Sequence, residues 1–221
     1  MGLAEQALTE SALTEPALTE PDLAEPALTR GARRRAPVYY RDHSAVDCFG
    51  GDCVSGNALL IDGFGRIREI VHDVLDGLGD ADLLYRADPA ANSICWQIWH
   101  LTRVQDDHIA GAGGLEQVWY SGGWAERFGL PLDPADIGYG HTVDEVAVVQ
   151  APADLLAAYH DATYEQTVEF VTGLTDADMD TIVDRHWDPP VTMAVRLISV
   201  LTDDLEHAGQ AAFIRGLTDR R

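Results

Sequence analysis

Apolar residues return every three or four positions in four stretches of this chain, and that period restricts what it can become more than any other feature. Between 57 and 78 the stripe is Leu60, Phe64, Ile67, Val71, Val74 and Leu78, weakened early by Gly63 and Gly65. A second stretch, 92–111, has Asn92 or Ser93 placed to cap its first turn and a glycine-rich stop from Gly111 to Gly114. A third, 152–174, opens on Pro152. The fourth, 192–217, follows Pro189-Pro190, offers Thr192 as a cap and stops near Gly216. Thr181–Trp187 is the one modest strand signal. Four helices of about 20 residues each predict an all-α chain, an antiparallel four-helix bundle in up-down-down-up or similar order.

The connection between the second and third helices is about 40 residues long, and connections of that length are binding loops, lids or disordered segments. Trp119, Tyr120, Trp124, Phe128 and Tyr139, with the turn-like GLPLDP (129–134) and GYGH (138–141), predict an ordered loop. It is expected to fold over one end of the bundle.

Residues 1–56 are of another kind. A five-residue near-repeat runs from 7 to 30, with Pro16, Pro21 and Pro26 inside it. Each Pro removes a helical hydrogen-bond donor, and one Leu per repeat offsets little ordering entropy. The reading is a disordered low-complexity tail and linker over 1–56, then a domain over 57–221. Arg33-Arg34-Arg35 lacks the apolar run of an export signal. Cys48 and Cys53 stand at C-x4-C spacing among glycines, a pattern of a flexible linker more than of a metal knuckle.

Charge removes whole classes of partner. The 221 residues carry 15 basic and 37 acidic side chains, a net charge of −22, and every cation other than His is Arg. Residues 57–221 alone hold 28 acids and 10 arginines. Phosphate binding needs a basic patch, so no nucleic-acid partner is expected, nor an anionic membrane surface. No run of about 18 apolar residues exists. Three cysteines, Cys48, Cys53 and Cys95, make no disulfide framework, and the expected location is the cytoplasm. The absence of Lys beside abundant Ala, Arg, Asp and Gly points to a GC-rich coding sequence.

Within the domain, Asp203 and His207 lie four residues apart on the fourth helix, about 40° around its axis. Their stripe also carries Arg196, Val200, Gln210 and Ile214, which turns it inward. On the second helix His100 sits among Trp96, Leu101 and Val104. One inward His on one helix and a carboxylate–His pair on another make a three-ligand metal site, with positions left for water or substrate. Spacing alone leaves a second reading open, a hydrogen-bonded core histidine and a surface Asp/His pair.

The words ANSICWQIWHLTRVQDDH (91–108), GWAERFGLPLD (123–133), GYGH, WDPPVT (187–192) and LISVLTDDLEHAGQAAFIRGL (197–217) resemble the DinB-like bundle superfamily, in particular its mycothiol-transferase-like branch. The phrase His-Ala-Gly-Gln (207–210) is the most specific of them. The resemblance covers 57–221. It implies a divalent metal, Zn above Ni or Fe, on His100, Asp203 and His207. Asp203 departs from the His or Glu that is usual there. The resemblance further implies a thiol S-transferase: the metal activates a low-molecular-weight thiol, mycothiol, for attack on a small electrophile in a detoxifying reaction. The alternative is a bundle that binds metal or ligand without turnover, a stress-related binding or dimerisation module; a homodimer fits either.

Further residues carry paired readings. Asp107 is a general base or cofactor contact, or it forms a salt bridge to Arg103 or Arg66. Arg196 holds a cofactor or substrate carboxylate, or is an ion pair of the acidic bundle. Gln210 supports His207 or a metal-bound water. Trp96, Trp99, Trp119 and Trp124 read as core, the last two alternatively as a pocket mouth. Cys95 reads as a buried, inert thiol, and Asp106 and His108 as surface residues.

Overall fold

A computed structural model describes residues 55–221; the expectations for residues 1–54, Cys48, Cys53 and the arginine run among them, lie outside the described residues. Four long helices carry the fold: α1 (Gly56–Leu75), α3 (Ile94–Gly113), α7 (Ala153–Gly173) and α8 (Met193–Thr218). The bounds fall within three residues of the periodic stretches; Ser93 and Thr192 are caps the sequence offered, and Ser55 is one it did not. Ser55, Ser93 and Thr192 each accept a backbone N–H of the first turn through their hydroxyl oxygens. Gly114 ends α3 at φ 62°, a conformation that favours glycine. A short helix, α2 (Asp80–Leu83), follows α1. Strands β1 (Ile182–Asp184) and β2 (Val191–Thr192) pair antiparallel before α8; the second strand carried no sequence signal.

Side-chain pairings fix the direction of each helix. Asn57 reaches the Leu174 carbonyl and Arg68 reaches Asp161, so α1 and α7 run antiparallel. Thr102 meets His160 and Gln105 meets Thr167, so α3 and α7 run parallel. Gln97 bonds to Gln210 while Asp107 shares a cleft with Arg196, so α3 and α8 run antiparallel. Gly63 lies against Leu201, and Arg215 donates to the Val74 carbonyl, so α1 and α8 run parallel. The order is up-down-down-up.

That order explains the long connection. Two parallel neighbours, each about 30 Å long, need a link that returns the whole length of the bundle. The link holds three short helices: α4 (Val118–Ser121), α5 (Trp124–Phe128) and α6 (Val143–Val148). Contrary to the expectation, it does not fold over one end of the bundle. It runs back along α3, from Asp106, which accepts the Val118 and Trp119 N–H groups, past His100 to Cys95, which meets Ala151. Trp119, Trp124 and Phe128 are buried around Tyr159, and these rings pin the link to the bundle. No helix among the described residues is long and apolar enough to cross a membrane.

Candidate metal centre

The structure brings His100, Asp203 and His207 together; one ligand atom from each lies within 4.8 Å of the others. The rings of His100 and His207 meet edge to face with centroids 4.5 Å apart. Each imidazole is held from behind. His100 Nδ1 lies 2.5 Å from the Ile137 carbonyl oxygen, which only accepts, so Nδ1 carries the proton and Nε2 keeps its lone pair. His207 Nδ1 lies 2.5 Å from Gln97 Oε1, and Gln97 donates in turn to Gln210 Oε1 at 2.8 Å. His207 Nε2 is therefore also free, 3.9 Å from Asp203 Oδ2.

Asp203 Oδ2 is screened from solvent and has no hydrogen-bond partner, although the side chain as a whole is 41% exposed. A buried carboxylate oxygen left bare costs free energy unless a cation or donor meets it. Two imine nitrogens and this oxygen converge, and that donor set suits a divalent transition metal. Burial, aided by the neighbouring His207, lowers the His100 pKa to about 4 against the pull of the Ile137 carbonyl, so its ring is neutral at pH 7. Burial also lowers the His207 pKa, opposed by Asp203 and Glu206. Neutral imidazoles are the ligating form.

The approach to His100 is built from Trp96, which the spacing already set beside it, and from loop residues that the spacing did not single out for it. Trp96 stacks on His100 with centroids 4.5 Å apart and donates its indole N–H to His141 Nδ1 at 3.0 Å. His141 reaches Asp136 Oδ2 at 3.0 Å, and Asp136 also accepts the Gly138 N–H. Gly138 has φ 92°, and a Cβ there would stand 2.7 Å from His100 Nδ1. Only glycine lets the loop present the Ile137 carbonyl at this distance. The GYGH turn was visible in the sequence, but its place beside His100 depends on the path of the link.

The remaining predicted residues fall elsewhere. Asp107 pairs with His108 and accepts from Gln117, and neither Arg103 nor Arg66 is its partner; Arg66 holds Asp62. Arg196 pairs with Asp184 at 2.8 Å and, like Asp107, lines a separate cleft. Gln210 supports His207 only through Gln97. Cys95 is buried, its thiol pushed up to about 12 by that burial. Asp106 is a correction: it is 1% exposed, because its carboxylate closes the N–H groups of α4 and the Tyr159 hydroxyl.

An up-down-down-up bundle with an open His/carboxylate/His cluster between its second and fourth long helices is the DinB-like class. Within it, the chain belongs to the mycothiol-S-transferase family, whose model matches residues 59–220. The crystal structure of a conserved protein from Enterococcus faecalis is similar, with a TM-score of 0.71 and 28% identity over 76% of this chain and all of that one. No curated protein matches the chain.

Proposed function

We propose that this chain is a metal-dependent S-transferase of the cytoplasm that joins mycothiol, or a closely similar low-molecular-weight thiol, to an electrophilic small molecule. His100 Nε2, His207 Nε2 and an Asp203 oxygen would hold the cation, with Zn favoured by the donor set and Ni or Fe as alternatives. A divalent cation with an open position supplies Lewis acidity that keeps a thiol ionised at neutral pH. The bare, buried Asp203 Oδ2 facing two proton-free imidazole nitrogens carries this reading.

The chain's own residues position and shield. Ile137 and Gln97 fix the two tautomers, so neither ring turns its N–H toward the cluster. Trp96 covers one face of His100 and keeps water from it. The cosubstrate sulfur forms a bond to an electrophilic carbon; the displaced electron pair leaves with a leaving group or, in addition to a double bond, takes a proton at the neighbouring carbon from water. No side-chain nucleophile is needed.

Incubating the metal-loaded chain with mycothiol and a panel of electrophiles tests the reading: S-conjugates form with wild type and fall to the uncatalysed rate with His100→Ala. Metal uptake without conjugate formation supports the second reading, a binding bundle without turnover. Asp203, shorter by one methylene than the usual Glu, is the residue that favours it.

A further inference from the structure

Two clefts flank the ligand cluster along the α3/α8 groove. Because the helices are antiparallel, Gln97 stands level with Gln210 on one side of the cluster and Asp107 with Arg196 on the other. The first cleft, about 620 Å³, is lined by Asn92, Gln97, Glu206 and Gln210, by the apolar Phe213 and Ile214 and by small residues, with no cationic side chain. The second, about 510 Å³, lies between α3, α8 and the turn after β1. It gathers Arg185, Arg196, His108 and His186 in a chain whose net charge is −22.

Two carboxylates share the second cleft, and both are engaged. Asp184 Oδ2 accepts from Arg196, and its Oδ1 accepts the His186 backbone N–H at 2.9 Å and meets the His186 ring at 3.0 Å. Asp107 accepts from Gln117 and pairs with His108. The guanidiniums are not used up. Arg196 gives Asp184 one nitrogen, and the Arg185 side chain, exposed, has no hydrogen bond or ion pair among the described residues. Engaged acids beside two fork-shaped donors suit a planar anion.

Resting on the transferase reading, we propose that this second cleft docks the electrophile and selects one that carries a carboxylate, bound by Arg185 and Arg196. Seven residues of helix separate the cleft from the cluster on α3 and on α8, a rise of about 10 Å. The carboxylate and the electrophilic carbon are therefore distinct parts of one molecule, several bonds apart. Glu206 repels a carboxylate from the first cleft, whose amides suit a neutral, hydroxyl-rich cosubstrate.

Calorimetric titration of the full-length chain, as purified and after zinc loading, with succinate and with its neutral isostere succinamide tests this. Succinate binds at least about tenfold more tightly than succinamide to wild type, and more weakly as salt rises. Arg196→Met lowers succinate affinity about tenfold or more and Arg185→Met by severalfold. Arg185 is exposed and unbonded, so its variant keeps the fold if Arg196→Met does not. Equal binding of the two probes to wild type, or unchanged succinate affinity in folded Arg185→Met, overturns the proposal. Zinc uptake on the same samples separates the readings. Uptake without succinate selectivity sinks the carboxylate site alone, and selectivity without uptake sinks the metal-dependent transferase alone.

Discussion

Helix α3 buries polar residues on two faces, and their fates differ. Toward α7 and the long link, Arg103 donates to Gln117 and Tyr159 and lies over the Trp119 ring, while Asp106 accepts from Val118, Trp119 and Tyr159. Toward α8, His100 and His207 are held from behind, and their second nitrogens face Asp203. The first set binds mainly within itself and to the link, leaving Arg103 Nη2 alone of its members' polar atoms buried without a partner, and is scaffold. The second is held but left open at one point, and an open, converging set of lone pairs is what binds a ligand. His160, on the scaffold side, makes the contrast sharp. Its Nδ1 meets Thr102 and its Nε2 is buried without a partner, yet it belongs to no three-residue ligand group among the described residues.

If that division is right, substitutions on the two faces break different things. Asp106→Ala strands buried Arg103 and frees the N–H groups of α4, so chemical denaturation should show a loss of about 3–5 kcal/mol. On the other face, Gly138→Ala drives a Cβ into His100 Nδ1 at a positive φ. Zinc affinity should fall about 100-fold while the midpoint of unfolding moves far less than in Asp106→Ala.

Acid acts on both faces, and His160 isolates its effect on the scaffold. Burial lowers the folded pKa of His160 to about 3 from 6.5, so the unfolded chain takes up its proton first as pH falls. That stability is complete above pH 6.5 and declines toward pH 3, by about 2 kcal/mol at pH 5. The wild-type advantage over His160→Gln, read from urea midpoints, should shrink by that amount between pH 7 and 5; a constant difference would contradict it. Gln97→Ala, which releases His207 without touching the scaffold, should weaken zinc about tenfold and leave stability nearly unchanged. Smallest of all, removing residues 1–54 should shift Tm by no more than about 1 °C, since we propose that 57–221 fold by themselves.

The helices were legible because burial imposes a period, and Ser93 and Thr192 were legible as caps because a hydroxyl before an apolar stretch has few other uses. His100, Asp203 and His207 were legible from an i, i+4 pair joined to a family phrase. Asp106 was not: an Asp beside Asp107 and His108 reads as surface until the link is laid over it. Gln97 was missed for the same reason, since its role depends on the register of α8 against α3. The parallel pairing of α3 and α7 was implicit in the length of the connection, which is too long for antiparallel neighbours and long enough to return along the bundle.

The central claim is that two imidazoles and one carboxylate form a single cation site. Zinc titration of the full-length wild type, His100→Ala and His207→Ala, with helical content followed by circular dichroism, tests it most directly. One zinc per wild-type chain, lost in both variants at unchanged helical content, is the predicted result. A wild type that takes up no zinc, or variants that bind it as tightly as wild type, would contradict the account.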